Sequence, residues 1–361
     1  MTDLIHRYGW DSYADETVDL SDIPLQPARI IEQYSGIYTI LSNAGRMTAT
    51  LSGKFEHSLS TLSDLPTIGD WVMADILPED KKAVIDHVLP RKSMFSRNKA
   101  GGQFRRQIIA ANIDMIFIVT GLDENFNIRR IERYLTQIDT KRIIPILIFN
   151  KTDLITDSLD IIKAEVDAAL RSFRQIYIST ITRSGYDELT AVLEKGKTVC
   201  FVGSSGVGKS SIINTLLSDE IITTKNVRAK DGKGRHVTST RNIFLLETGA
   251  IVIDTPGMRE LSIWSDTANL ETTFSDILAL EGECRFSDCT HTVEPDCAIQ
   301  DAISKGILDE ARYNNYLKLQ KEIIYNKLKQ EDSAARNTKR RQKNISRKVR
   351  DIKKHRNKNT Q

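Results

Sequence analysis

A glycine-rich segment from Gly203 to Ser211 has the residues needed to hold phosphate groups. Glycines at 203, 206 and 208 allow tight backbone turns that aim N–H groups at phosphate oxygens. Lys209 could then reach the β- and γ-phosphates of a nucleotide, and the Ser210 hydroxyl could bind Mg²⁺. An apolar run precedes the segment and a helical pattern follows it, which is the context of a functional phosphate-binding loop. The predicted binding residues are Gly203, Ser204, Ser205, Gly206, Val207, Gly208, Lys209, Ser210 and Ser211.

A second motif, Asn150-Lys151-Thr152-Asp153, has the chemistry to select a purine base. A carboxylate such as that of Asp153 can accept the N1 and N2 hydrogens of guanine, and adenine offers no such pair. We expect Asn150 to bind the opposite edge of the base and to tether neighbouring loops, and the Lys151 stem to lie along the ring. Ser179-Thr180 could bring a backbone N–H to the guanine oxygen, although an ordinary turn is an equally good interpretation of this pair.

A third motif, Asp254-Thr255-Pro256-Gly257, has the residues of a phosphate-sensing switch. The Asp254 carboxylate could hold Mg²⁺ at a strand end while the Gly257 N–H senses the γ-phosphate. A threonine in the preceding loop would complete the magnesium shell, and we predict Thr238, with Thr240 as the alternative. Met258 occupies the position at which many small GTPases have a water-orienting glutamine, so we predict that His236 performs this role.

The order of the three motifs is itself informative. Ordinary GTPases have the phosphate-binding loop first and the base-recognition motif near the end. Here residues 150–153 precede residues 203–211, and Asp254 follows both. The sequence therefore predicts a circularly permuted, Mg²⁺-dependent GTP hydrolase, with Lys209 and His236 as its catalytic residues.

Three of the four cysteines lie close together beside a histidine. Three thiolates and one imidazole complete a tetrahedral ligand set with no open position, which is typical of structural zinc and not of catalytic zinc. The alternative is three buried free cysteines next to a chance histidine. The predicted zinc ligands are Cys284, Cys289, His291 and Cys297.

The hydrophobic pattern divides the chain into five regions. Short alternating stretches separated by Gly and Pro predict an all-β barrel of the OB type over residues 31–98. Apolar runs that alternate with helical stretches predict a parallel sheet covered by helices, and hence an α/β GTPase domain, over residues 99–270. A small, mostly α-helical zinc-binding domain is predicted over residues 271–335. Residues 1–30 are expected to form an N-terminal arm and residues 336–361 a basic tail.

Charge is concentrated in that tail. Residues 336–361 contain twelve Lys and Arg and one Asp, a net charge of +11, which leaves −8 for the rest of a chain whose net charge is +3. Such a segment should attract phosphate backbones, with a purely solubilising tail as the alternative. An OB-type barrel could bind nucleic acid or serve as a structural module, and fold alone does not decide between them. No signal-peptide pattern is present and the apolar runs are too short to span a bilayer, so a cytoplasmic protein is expected.

With these motifs the chain resembles the RsgA family, also called YjeQ or YloQ, of small ribosomal subunit-dependent GTPases. The resemblance runs from about Gly53 to Tyr316. Besides the motifs above it includes Gly-Asp-Trp-Val at 69–72, Leu-Pro-Arg-Lys-Ser at 89–93, Ala-Ala-Asn-Ile-Asp at 110–114, Ile-Glu-Arg-Tyr-Leu at 131–135 and Gly-Arg-His at 234–236. It implies an OB barrel, a permuted GTPase domain and a zinc domain. It also implies GTPase activity stimulated by the small ribosomal subunit and its rRNA, late in maturation of that subunit.

Two parts of the chain depart from the family pattern. The usual Gly-x-His-Thr-Thr-Thr stretch is His236-Val237-Thr238-Ser239-Thr240 here, which leaves the choice of switch threonine open. The N-terminal arm and the basic tail match no family motif. We expect a monomer that binds GTP and GDP without a membrane, and the alternative function is a guanine-nucleotide-gated rRNA-binding module whose hydrolysis is incidental.

Overall fold

The computed structural model describes residues 4–14, 25–34, 36–59, 61, 63–98, 106–155, 158–217, 241–254 and 267–329. The predicted switch residues His236, Thr238, Thr240, Thr255, Pro256 and Gly257 lie outside these ranges, as does the basic tail. Within the ranges, no helix combines the length and the hydropathy needed to cross a bilayer.

The first part of the chain forms a closed five-stranded barrel, which confirms the predicted barrel. Its elements are α1 (Leu4–Arg7), α2 (Trp10–Ala14), β1 (Gln26–Tyr34), β2 (Ile37–Ser42), β3 (Gly45–Leu51), α3 (Gly53–Ser58), β4 (Trp71–Leu77) and β5 (Lys82–Val88). The strand order is β1-β2-β3-β5-β4, and β4 pairs back with β1 to close the barrel. Neighbouring strands are antiparallel except β3 and β5, which are parallel.

The N-terminal helices cover one side of this barrel. The ring centroid of Trp10 lies 4.8 Å from that of Trp71, and the centroid of Tyr13 lies 5.7 Å from the same ring. The Tyr13 hydroxyl also donates a hydrogen bond of 2.7 Å to the carbonyl oxygen of Pro90. This aromatic cluster fixes the position of residues 4–14 on the barrel.

The barrel begins earlier than the sequence pattern indicated. Strand β1 starts at Gln26, before the predicted boundary at residue 31. Its residues 28–31 are all buried: Ile30 packs in the barrel core, whereas Ile31 packs in the core of the domain that follows. Because both faces of β1 are covered, the strand lacks the alternation that identified the other barrel strands.

The second part of the chain, residues 115–254, is an α/β domain. A two-stranded hairpin, β6 (Met94–Asn98) and β7 (Arg106–Ala111), leads into it across the predicted boundary at 98/99. The domain contains β8 (Met115–Gly121), α4 (Ile128–Leu135), β9 (Ile144–Asn150), α5 (Leu159–Leu170), β10 (Arg174–Tyr177), α6 (Tyr186–Ala191), β11 (Thr198–Val202), α7 (Lys209–Leu216), β12 (Arg241–Leu245) and β13 (Ile251–Asp254).

The six strands of the α/β domain have the order β10-β9-β8-β11-β13-β12. All neighbouring pairs are parallel except β12 with β13. Apolar clusters lie on both faces of the sheet, so every residue of β8 is buried. Continuous apolar runs are typical of such doubly covered parallel strands, and the predicted α/β fold is confirmed.

The barrel and the α/β domain share a sheet edge and an apolar core. Strand β1 pairs with β12 through Glu32↔Asn242, and one apolar cluster contains residues of both parts. Gly69 has φ of +87°, and a Cβ there would lie 2.2 Å from the carbonyl oxygen of Ala111, so this contact requires glycine. Beside it, the buried Asp70 carboxylate accepts two hydrogen bonds of 2.7 Å from Arg91. The segments 69–72, 89–93 and 110–114 thus build this junction.

The last described part, residues 267–329, is a small helical unit that we call the Cys/His domain. It contains α8 (Thr267–Thr273), α9 (Ser275–Glu281), α10 (Ala298–Ser304) and the helix α11 over residues 310–329. These helices enclose an apolar core of their own around Phe274, Ile299 and Leu319. The loop between α9 and α10 carries the predicted zinc ligands.

Candidate functional site

The glycine-rich segment forms a tight loop between β11 and α7. Gly203, Gly206 and Gly208 have φ of +147°, +83° and +98°, respectively, which other residues rarely adopt. A Cβ at Gly203 would lie 2.2 Å from the carbonyl oxygen of Val119 in β8. Helix α7 begins at Lys209, so the loop opens onto a helix N-terminus, where backbone N–H groups can receive an anion.

Lys209 extends back over this loop. Its Nζ donates to the carbonyl oxygens of Gly203 at 2.7 Å and of Ser204 at 2.6 Å. Burial lowers the pKa of Lys209, and the charge of Asp254 acts in the opposite direction. Asp254 ends β13, which pairs with β11, and Ser210 is the second residue of α7. The lysine and two of the predicted magnesium ligands, Ser210 and Asp254, therefore lie at the same edge of the sheet. Thr238 lies outside the described residues.

Asn150 connects three loops at that edge. It is the buried last residue of β9, and its Nδ2 donates to the carbonyl oxygen of Val207 in the phosphate-binding loop at 2.9 Å. Its Oδ1 accepts from the backbone N–H of Thr180 at 3.2 Å and from the Thr180 hydroxyl at 2.9 Å. A Cβ at Gly208 would lie 2.2 Å from Asn150 Nδ2, so this position also requires glycine. Residues predicted separately to contact base and phosphate are thereby joined through one side chain.

Asp153 and Ser179 also contact each other. The Ser179 hydroxyl donates to Asp153 Oδ1 at 2.5 Å, and its Oγ accepts the backbone N–H groups of Ile181 and Thr182. The backbone N–H of Thr152 donates to the carbonyl oxygen of Ile178 at 3.2 Å. Ser179 thus orients the carboxylate that was predicted to recognise guanine.

One residue at this edge, Asp123, was not identified from the sequence. Lys151, whose φ is +71°, places its Nζ 2.6 Å from Oδ2 of Asp123, two residues beyond the end of β8. The hydrogen bond from Lys151 lowers the pKa of Asp123, which favours the ionised carboxylate. An acidic residue just past an apolar run was the available signal, but many surface loops share that pattern. Asp123 limits the positions available to the Lys151 stem.

The four predicted metal ligands are brought together in the Cys/His domain. Their ligand atoms all lie within 4.8 Å of one another. His291 Nδ1 is 3.5 Å from Sγ of Cys284 and of Cys297, and these two sulfurs are 4.0 Å apart. Tetrahedral bonds to Zn²⁺ would separate such ligand atoms by about 3.5 to 3.8 Å. Three soft sulfur donors and one imidazole fit a single tetrahedral metal ion.

The surroundings of His291 fix its orientation. Its φ is +57°, and its carbonyl oxygen accepts a hydrogen bond of 2.6 Å from Gln300. The second ring nitrogen, Nε2, faces the Glu281 carboxylate at 3.8 Å, which is beyond hydrogen-bond distance. Cys297 is buried at the start of α10. The cluster therefore joins a long loop to the helical core.

Comparison with known proteins gives consistent matches. The RsgA GTPase family model matches residues 88–264. The small ribosomal subunit biogenesis GTPase RsgA 2 of Lactiplantibacillus plantarum is 43% identical over 297 residues, which cover 82% of this chain and 83% of that protein. The small ribosomal subunit biogenesis GTPase RsgA of Syntrophotalea carbinolica is 38% identical over 352 residues, or 95% of this chain and 96% of the relative.

Two solved structures are similar over most of the chain. YjeQ from Thermotoga maritima matches with a TM-score of 0.61 and 25% identity, covering 83% of this chain and 99% of that one. YloQ, described as a circularly permuted GTPase, matches with a TM-score of 0.57 and 25% identity, covering 85% of this chain and 97% of that one. The order of strands and motifs found here agrees with that description. The chain belongs to the RsgA family and is a circularly permuted GTPase.

Proposed function

We propose that this protein binds the small ribosomal subunit and hydrolyses GTP to GDP and phosphate faster when bound to it, during late maturation of that subunit. The names of the relatives, which are small ribosomal subunit biogenesis GTPases, support the partner. One observation carries the nucleotide part of the proposal: the Asn150 amide links the phosphate-binding loop to the loop at Thr180.

The bound nucleotide would lie along the edge that Asn150 connects. The loop from Gly203 to Ser211 would surround the phosphates, and Lys209 would exchange its two carbonyl contacts for phosphate oxygens. Asp153, oriented by Ser179, would accept the guanine hydrogens, while the loop at Ser179-Thr180 would supply a backbone N–H to the guanine oxygen. These assignments give every loop at the edge a contact with a different part of GTP.

Hydrolysis requires charge neutralisation and a positioned water molecule. Ser210, Asp254 and Thr238 would hold Mg²⁺, which supplies positive charge to the phosphates when bound. Lys209 adds a second positive charge from within the loop. His236 is our candidate for orienting the attacking water, since the thioether of Met258 cannot accept and direct its protons as a glutamine does. Thr238 and His236 lie outside the described residues, and their assignment depends on sequence.

The Cys/His cluster would hold one structural Zn²⁺. The support is the donor set of Cys284, Cys289, His291 and Cys297 and its spacing. Zn²⁺ would supply no chemistry to hydrolysis, because four protein ligands leave no open position. The basic tail would add sequence-independent attraction to rRNA.

Turnover by the purified protein should depend on the ribosomal subunit. We expect GTP hydrolysis to rise when small subunits are added and ATP hydrolysis to stay low. Lys209→Ala should lower the stimulated rate by about a hundredfold or more, since it removes a charge that stabilises the transferred phosphoryl group. The measurement is phosphate release under multiple-turnover conditions. Retained GTP binding without any stimulation by subunits would favour the alternative, a nucleotide-gated RNA-binding module.

A second variant tests the water-positioning residue. His236→Ala should lower the subunit-stimulated rate by about a hundredfold, which is typical of losing a residue that positions or deprotonates the nucleophile. GTP affinity should stay within about twofold, because the predicted role is confined to hydrolysis. Single-turnover hydrolysis and nucleotide titration separate the two effects, and His57→Ala in α3 of the barrel provides the matched control. An unchanged single-turnover rate would exclude His236.

A further inference from the structure

The two junctions of the α/β domain are built in opposite ways. Toward the barrel it shares a strand pairing and an apolar cluster, so these two parts form one continuous body. Toward the Cys/His domain, none of the apolar clusters formed by the described residues contains members from both sides. Helix α4 lies against α8 at this second junction, and the hydrogen bonds and ion pairs of α4 with the Cys/His domain go to residues 309–322.

Glu132 is the centre of this ionic junction. Its side chain on α4 is fully buried, and Oε1 accepts a hydrogen bond from the Arg312 guanidinium of α11. Oε2 accepts from Asn315 Nδ2 at 2.6 Å. Burial raises the pKa of Glu132, while the charges of Arg312 and Arg129 oppose that shift. A carboxylate is therefore held between two domains by donors from the Cys/His side.

Two further ion pairs flank Glu132. Arg133, the next residue of α4, donates to both carboxylate oxygens of Glu322 at 2.7 and 3.0 Å. Arg129, one turn earlier, contacts Asp309 just before α11. Arg129, Glu132 and Arg133 of α4 thus pair with successive positions along residues 309–322. These pairs fix the register of residues 309–322 along α4.

Glu132 and Arg312 each have a second partner of opposite charge within their own domain. Arg129 Nη1 donates to Glu132 Oε1 at 2.9 Å within α4. Arg312 donates to both oxygens of Asp276, at 3.0 and 2.8 Å, within the Cys/His domain. If the domains separated, Glu132 would keep Arg129 and Arg312 would keep Asp276. After separation each of these two charges would still face an opposite charge. Separation would therefore avoid the usual cost of breaking a buried pair, which is a charge left without a partner.

The packing beside the junction is incomplete. A cavity of about 710 Å³ lies between the two domains. Phe126 and Ala168 line it from the α/β side, and Ile303 and Leu308 line it from the Cys/His side. Apolar side chains that would otherwise seal the interface therefore stand apart, so closing it buries less apolar surface than a fully packed interface of the same extent would.

We infer that the Cys/His domain is a separate rigid body that opens from helix α4 by breaking the Glu132–Arg312 contact, while the barrel and the α/β domain move together. Opening returns the junction charges to water and so recovers their desolvation cost, which an apolar interface would not do. Polar interfaces between domains are the kind that permit relative motion. This inference does not depend on nucleotide or on ribosomal subunits.

Single-molecule energy transfer on the full-length protein tests the inference. Donor and acceptor dyes are attached to non-natural residues at Ile161 on α5 and Tyr325 on α11, both of which are exposed. At low salt we expect one dominant short-distance population. Raising the salt to about 1 M, where the Debye length falls to about 3 Å, should weaken the partly exposed Arg133–Glu322 pair beside Glu132 and so increase a second, longer-distance population. Glu132→Gln should raise that population about tenfold at low salt, because it removes a charge-assisted hydrogen bond.

Matched variants keep the result interpretable. Glu188→Gln removes the same charge from an exposed pair with Arg174 inside the α/β domain and should leave the distances unchanged. Glu322 is a partly exposed junction residue, and Glu322→Gln should shift the distances in the same direction as Glu132→Gln. It therefore still tests the inference if the buried variant folds poorly. A single distance distribution that neither salt nor the junction variants alter would overturn the inference, as would an equal shift in Glu188→Gln.

Discussion

Asp153→Asn should weaken GTP binding by about two to four orders of magnitude and should raise affinity for XTP. On the proposed assignment the carboxylate would accept two guanine hydrogens, and each such charged hydrogen bond contributes about 1.5–3 kcal/mol. The amide presents one acceptor and places an NH₂ group against a guanine donor. Xanthine has a carbonyl oxygen where guanine has its amino group, so the same NH₂ group gains an acceptor there. Because the diphosphates carry the same bases, equilibrium titration with fluorescent GDP and XDP derivatives measures both changes without hydrolysis. An ADP derivative reports any binding that does not depend on these bases.

The substitution is conservative for the fold. Ser179 donates to Asp153 Oδ1, and an asparagine oxygen can accept the same hydrogen bond, so the loop should keep its shape. Asp160→Asn on the exposed face of α5 is the control for loss of one carboxylate, since the Asp160 side chain is fully exposed. If Asp153→Asn bound GDP as tightly as the native protein does, guanine recognition would have to be assigned to another residue.

Loss of the metal ion should unfold the Cys/His domain and leave the GTPase domain folded. The loop from residue 282 to 297 has no regular secondary structure, and the four ligands are what would join it to α10. Binding of structural zinc contributes about 10–16 kcal/mol in small domains, which exceeds the stability that a helical core of this size can supply. Metal analysis should find one Zn²⁺ per chain, and Cys297→Ser or a strong chelator should abolish it.

Hydrogen exchange separates the expected local effect from general unfolding. After metal removal, amides in residues 267–329 should exchange rapidly, whereas those of β8 and β11 should stay protected. GDP affinity should change less than about threefold, because the Asn150 contacts lie in the other domain. Cys200→Ala is the control, since Cys200 is buried in β11 away from the cluster. Full protection of 267–329 without metal would show that the helices fold unaided.

How far each feature could be predicted depended on where its partners lie in the sequence. The phosphate-binding loop and the Cys/His cluster are local, so residue type and spacing were sufficient to identify them. The contact of Asp123 with Lys151 joins two different loops, and that of Glu132 with Arg312 joins two domains. In a single sequence each of these acidic residues resembles an ordinary surface residue. Burial, which distinguishes Glu132, becomes visible only once α11 is in place.

The shared strand edge has a consequence for the order in which the chain is built. All five barrel strands lie within residues 26–88, so the barrel can close early in synthesis. Strand β12, which pairs with β1, is made only after most of the α/β domain. An open strand edge is a template for pairing with other chains. The permuted order therefore leaves residues 32 and 33 of β1 without their β12 partners until residues 241 and 242 are made, and β11 without its β13 partner until residue 254 is made. The finished barrel then serves as the surface on which the last strands of the GTPase sheet assemble.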